Sequence, residues 1–268
     1  MSDMVRKQKV LMTVLTYPHP SEKYNELVCT AGITEEGKWI RLYPVDYRYR
    51  LPHQKFQKYQ WIEVDVEKTP TNKDKRPESY RPKLDSIRIL GEKIGTDDKW
   101  RERRQILDAM PHRPLEEWEA QWEDDRTSLG IVRPKEVIDL EVVKSKEPEW
   151  SAKRKEFMSQ ITLFGPQRKP LRKIPFEFRY KFRCDGSDKV RSALCTDWEL
   201  GALFLKEVER LGSEEAAAEN VRRKFFDDLC GPTKDTRFFM GTCHPRNTWM
   251  VLGVFYPPKI TVHQPDLF

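Results

Sequence analysis

Between Ile174 and Cys184 every second residue is aromatic: Phe176, Phe178, Tyr180 and Phe182 alternate with Glu177, Arg179, Lys181 and Arg183. Alternation with a period of two fits a pleated strand that has one dry face and one wet face, and it fits no helix. Trp61–Val66 follows the same rule, with Ile62, Val64 and Val66 set against Trp61, Glu63 and Asp65. Val10–Thr16 and Leu27–Ile33 are rich in β-favouring residues, and a Glu35-Glu36-Gly37 turn leads into Lys38–Val45, so the last two read as a hairpin. Lys68–Pro82 is polar with three prolines and reads as an exposed loop, after which Leu84–Leu90 regains strand character.

Helical patterns interrupt these strands twice. Asp97 or Asp98 is placed to cap Lys99–Met110, and Pro114 opens an acidic helix, Leu115–Asp125, whose Trp118 and Trp122 are spaced to pin it to the barrel. Ile131–Val132 and Val137–Val143 add a final pair of strands. The expected fold class is α+β. A small β-barrel over residues 1–146, PUA-like or OB-like in style, carries an inserted helical pair. A basic connection, 147–173, leads to a mixed α+β domain over 174–256, and residues 257–268 form a tail behind Pro257-Pro258. In the second domain the helices are Trp198–Leu211, capped by Thr196 or Asp197, and Glu214–Leu229, capped by Ser213 and closed by Gly231-Pro232. Arg237–Thr242 and Thr248–Phe255 read as a hairpin.

Charge is segregated along the chain. The formal net charge is +6, yet Ser151–Arg191 alone holds 12 Lys or Arg against 4 Asp or Glu. Lys38–Lys58 holds 6 basic residues against one Asp, interleaved with aromatics, whereas Leu115–Asp125 holds six acidic residues and no basic one. Basic residues beside rings suit a polyanion, because cations neutralise phosphates while rings stack on exposed bases. The candidate nucleic-acid contacts are therefore Lys38, Trp39, Arg41, Tyr43 and Arg48 in the first half. In the connection and the aromatic strand they are Lys169, Arg172, Lys173, Arg179, Lys181 and Arg183. Alternation places Trp39, Arg41 and Tyr43 on one face, outward if Ile40 and Leu42 point inward; with that face reversed or covered by the helical pair, Trp39 and Tyr43 become core instead.

Two pentapeptides, Gln160-Ile161-Thr162-Leu163-Phe164 and Gln264-Pro265-Asp266-Leu267-Phe268, share the pattern Q-x-x-L-F. Each resembles the peptide that bacterial polymerases and repair proteins insert into the groove of the sliding clamp. The resemblance implies a clamp partner and work at DNA in replication, repair or defence. It also implies that Leu163 with Phe164, or Leu267 with Phe268, fills an apolar pocket while Gln160 or Gln264 bonds at its rim.

The densest polar cluster is Thr196-Asp197-Trp198-Glu199. It reads first as a helix N-terminus, where acids complement backbone N–H groups. Its chemical reading is a carboxylate pair, Asp197 and Glu199, holding Mg²⁺ or Mn²⁺ for phosphodiester cleavage with His244 as acid–base. Cys184, Cys195, Cys243 and His244 lack the tight knuckle spacing of a zinc site, and five cysteines without an export signal read as reduced thiols. No phosphate loop, dinucleotide fingerprint or zinc-protease motif is present. With no apolar run of transmembrane length and a polar start, the expected compartment is the cytoplasm, with no membrane partner. The resulting expectation is a bacterial or phage-linked nucleic-acid-binding protein, with DNA the favoured ligand, recruited to a clamp. The alternatives are a metal-dependent nuclease and a non-enzymatic adaptor.

Overall fold

Ten residues, Arg6–Leu15, form β1, and from Val10 onward every side chain of that strand is buried. A strand dry on both faces lies between two layers, and the computed structural model shows both; it describes residues 5–21, 25–160, 170–243 and 248–260. On one side β1 belongs to a closed barrel. It pairs with β3 (Asn25–Thr34) and β5 (Gln60–Lys68), β3 pairs with β4 (Trp39–Val45), and β6 (Ser79–Pro82) closes the ring between β4 and β5. The β4–β6 contact is parallel and the others are antiparallel. Short strands β2 (His19–Ser21) and β7 (Arg88–Leu90) extend the sheet at β3 and β5. Inside the barrel lie Val10, Met12, Ile40, Leu42, Ile62, Val64 and Val66. The α+β class and the N-terminal barrel are as the alternation predicts.

On its other side β1 presents Leu11 and Val14 to a second apolar layer, shared with Leu107, Ile131, Phe239, Leu252 and Phe255. That layer comes from α1 (Asp97–Asp108) and from a sheet in the order β13-β12-β8. Here β8 is Leu129–Val132, β12 is Arg237–Cys243 and β13 is Thr248–Phe255. A third sheet runs β11-β10-β9, with β9 Glu136–Lys144, β10 Phe176–Arg183 and β11 Arg191–Leu194. β8 and β9, expected in the barrel, thus pair with C-terminal strands instead. Their short apolar runs carry no mark of which partner they will meet.

Trp118 and Trp122, on α2 (Leu115–Asp125), likewise join the C-terminal core and not the barrel. Trp118 Nε1 donates to Ile131 O at 3.1 Å, and its ring lies so close to Gly130 that an added Cβ would sit 2.3 Å away. Only glycine fits there.

The aromatic face of β10 is as predicted: Phe178, Tyr180 and Phe182 are fully buried. They pack against α4 (Trp198–Leu211) and α5 (Glu214–Arg222), which is continued by a π-helical turn, Arg223–Asp228. Ser213 caps α5 through the amide of Ala216 at 3.2 Å. The connection is not all loop, since Ala152–Gln160 is helix α3 and Trp150 and Leu171 are buried. The π turn and helix α3 are features the sequence reading did not foresee. No helix among the described residues is long and apolar enough to cross a membrane.

Candidate nucleic-acid interface

Few of the predicted contact residues stand free. Arg41 is 2% exposed, and its Nη2 donates to Ser128 Oγ at 3.1 Å across to the C-terminal half. Trp39 is half-buried, packed edge-on against Phe239 with ring centroids 5.9 Å apart. The outward face proposed for Trp39 and Arg41 is therefore covered by β8 and β12, and of the three residues only Tyr43 is exposed, at 38%. Arg48 is bonded to Glu26 at 2.6 Å. Lys38 is exposed at the β3–β4 turn, as expected.

The basic face of β10 is neutralised by its neighbours. Lys181 meets Glu141 at 3.0 Å and Arg183 meets Glu136 at 2.6 Å, both across to β9, while Arg179 holds Glu177 at 3.0 Å. Counting charge along one segment overlooked the acids that antiparallel pairing sets beside it. In the connection, Lys173 packs over the Trp150 ring at 5.1 Å and donates to Glu149 O, whereas Arg172 is exposed. Lys169 and His244 lie outside the described residues, as do Leu163, Phe164, Gln264, Leu267 and Phe268; Gln160 is the last residue of α3.

Positive charge not tied up in salt bridges among the described residues gathers elsewhere, at one mouth of the barrel. There β1 begins, β5 ends, and the loop from 69 to 78 leads to β6. The Tyr80 ring is clasped by two cations, Arg6 at 4.6 Å and Lys68 at 4.7 Å from its centroid. Arg6 also donates to the Tyr80 hydroxyl, and Lys68 donates to the carbonyls of Arg76, Pro77 and Ser79. Burial and then the like charge of Arg6 push the Lys68 ammonium below its ordinary range, against Glu78 and Asp74. Lys73 and Lys75 are exposed on the loop above, and Lys38 on the adjoining turn. Among the described residues, none of these five cations forms a salt bridge. The loop signal in the sequence, Thr71-Asn72-Lys73-Asp74-Lys75-Arg76, was read only as exposure.

The loop is anchored from below. Arg76 grips Asp74 through Nε (2.8 Å to Oδ1) and Nη2 (2.7 Å to Oδ2), and its Nη1 donates to Thr242 O of β12 at 3.4 Å. Burial works to raise the Asp74 carboxyl, but the bonds from Arg76 and then Ser79 outweigh it and bring it to about 2 from an ordinary 3.8. A depressed carboxylate stabilises the fold above its unfolded pKa and loses that contribution as pH falls towards the folded one. Melting curves should therefore show about 2 kcal/mol lost between pH ~4 and ~2, and Asp74→Asn should remove that step. An unchanged acid limb in the variant would show that the pair contributes nothing.

The predicted carboxylate pair does converge, on a lysine. Lys58 Nζ lies 2.8 Å from both Asp197 oxygens and 3.0 Å from Glu199 Oε2. Asp197 is also the N-cap of α4, accepting from the amide of Glu199 at 2.9 Å, so the capping reading holds. Burial opposes the charge on Lys58, yet Asp197 and then Glu199 outweigh it and hold its pKa above the ordinary range. Lys58 is thus a fixed cation with no lone pair to act as a base. It occupies the point between the two carboxylates where a divalent ion would meet both. Among the described residues no group of three or more His, Cys, Asp or Glu is placed to hold a metal.

Barrel and helices meet at this junction. Tyr17 N donates to Thr196 O at 2.7 Å, and Trp198 packs against Tyr47 at 5.3 Å.

Fold and site together define a two-part α+β protein, a closed five-stranded barrel joined through a continuous apolar layer to a helix-backed C-terminal unit. The chain belongs to the DUF8757 family, a domain of unknown function, by a match over residues 112–268; residues 6–109 match a second domain of unknown function, DUF8758. The two matches meet between α1 and α2, where burial passes from the barrel-side layer to the C-terminal core. No curated protein sequence matches the chain. Among solved structures, it is similar to the p204 HINb domain, with 10% identity, a TM-score of 0.33, and coverage of 97% of this chain and 100% of that one. A likeness at that score bears on neither fold nor function.

Proposed function

We propose that the protein binds nucleic acid through the cationic mouth of its barrel and is brought to DNA by a Q-x-x-L-F peptide. The observation that carries the first part is the Arg6–Tyr80–Lys68 stack with Lys38, Lys73 and Lys75 around it. Among the described residues none of these cations is taken up in a salt bridge, so phosphates are the natural counter-charge. Arg6 adds a planar guanidinium that is already stacked on a ring, the geometry in which arginine also receives a base. The β10 face, with its charges matched in pairs, is not part of the interface.

The second part rests on the resemblance of the two pentapeptides to clamp-binding peptides. The tail copy is favoured, because it follows Pro257-Pro258, which stops the sheet from continuing into it. Immobilised sliding clamp should retain the full chain, and removal of Gln264–Phe268 should abolish retention. Retention unchanged by that deletion but lost in Leu163→Ala/Phe164→Ala would transfer the role to the internal copy. Retention in neither form would remove the clamp from the proposal and leave the mouth untouched.

A further inference from the structure

Away from the mouth, a groove of about 380 Å³ opens between α4 and the α5–π segment. Its volume is in the range typical of small-molecule sites, about 300–1,000 Å³. We propose that this groove is a binding site for a mononucleotide, with the base at the Tyr256 end and the phosphate at the Arg223 end.

The two ends differ in chemistry. Residues Glu199, Leu203, Glu207 and Arg210 line it from one face of α4, so the groove runs roughly 16 Å along the helix axis. At one end stands Tyr256, half-buried and held by an edge-on contact with Trp100 at 4.8 Å between centroids. Glu199 and Asp228 open beside it with side chains 54% and 56% exposed, two acceptors for the exocyclic amine of a base. Leu203, Phe225 and Leu229 make an apolar floor. At the far end Arg210 and Arg223 flank Asn220.

Three acids and three bases line the groove, so its formal charge is balanced, but they are not matched one to one across it. Glu207 is taken up by Arg210 at 2.5 Å and Asn220 at 2.8 Å, Asp228 by Lys224 at 3.0 Å, and Glu199 by Lys58 from behind the groove. Arg223 donates only to the neutral Asn220 Oδ1, at 2.9 Å, and forms no salt bridge among the described residues. Because Glu199 is held from behind by Lys58, Arg223 is the lining cation with no carboxylate within salt-bridge reach among the described residues, and it is the one placed to meet an anion. The π turn places it: Leu229 N bonds to Lys224 O at 3.2 Å, five residues back. That widened turn brings Arg223, Lys224 and Asp228 onto the groove wall together. Single π turns are retained mostly at functional sites, since they cost helix geometry. An aromatic end, an apolar floor and a cationic end, in that order, match base, sugar and phosphate.

The proposal is independent of the barrel mouth. Equilibrium dialysis of the full chain with AMP, ATP and adenosine tests it. AMP and ATP should bind saturably with Kd below about 1 mM, and adenosine at least tenfold more weakly. Arg223→Glu should weaken AMP at least tenfold and leave adenosine unchanged. Leu203→Trp, which fills the floor, should weaken all three; Arg223→Glu is a surface change that carries the test alone should Leu203→Trp not fold. Neutralising Arg6, Lys38, Lys73 and Lys75 should leave AMP binding intact, which separates this site from the mouth. Absence of saturable binding, or binding indifferent to Arg223→Glu, overturns the assignment.

Discussion

Replacing Lys58 by methionine should destabilise the protein by about 3–5 kcal/mol, the usual loss when one partner of a buried ion pair is removed. Lys58 and Asp197 have side chains only 5% and 1% exposed, so the Asp197 carboxylate left behind has no water to turn to. For a chain of this length the melting temperature should fall by roughly 10 °C. Asp197→Asn added to Lys58→Met should recover at least half the loss, because asparagine is neutral yet still caps α4 as well as aspartate does. Glu199→Gln should change stability by less than about 1 kcal/mol, since Glu199 is half in solvent. Urea titrations of the four proteins decide the matter, and a loss for Lys58→Met below about 1 kcal/mol would show that the triad is incidental.

Neutralising Arg6, Lys38, Lys73 and Lys75 together should lower affinity for a single-stranded oligonucleotide by more than about 100-fold at low salt. Each phosphate contact contributes about 0.7 to the slope of log affinity against log salt for single strands. Four lost contacts should therefore flatten the slope by roughly 3, which fluorescence anisotropy at several ionic strengths measures directly. Lys68 is spared in the variant, because it ties the loop to β6. A matching set on β10, Arg179, Lys181 and Arg183 changed to serine, should leave affinity within about threefold if the paired ladder stays outside the interface. The mouth is refuted if the β10 set proves the more damaging of the two, or if the wild-type chain binds neither DNA nor RNA at low salt.

Strands and helices were legible where local rules act alone. Alternation exposed β10, and Asp197 and Ser213 marked the starts of α4 and α5, because caps and periods need only neighbouring residues. Arg41 was misplaced for the opposite reason. Its strand alternates correctly, but the face called outward is covered by the segment entering β8, where the Arg41 partner Ser128 lies 87 residues further on. Lys58 was invisible as a site residue since its partner is 139 residues away. The one available signal was a lysine set between Phe56 and Tyr59 in a stretch that must be buried. Charge counting failed on β10 and overlooked the loop from 69 to 78, since segment totals ignore what pairing brings alongside.

The double-sided burial of β1 sets the terms on which this protein can be cut. Two domain-family matches invite expression of residues 6–109 and 112–268 as separate pieces. The first piece would then present Leu11, Val14, Ile33 and Leu107 to water, and the second would present Ile131, Phe239, Leu252 and Phe255. Each fragment would carry half of one adhesive seam, so mixing the two halves should rebuild the particle, as in a split reporter. Either half alone is a poor choice for solution work.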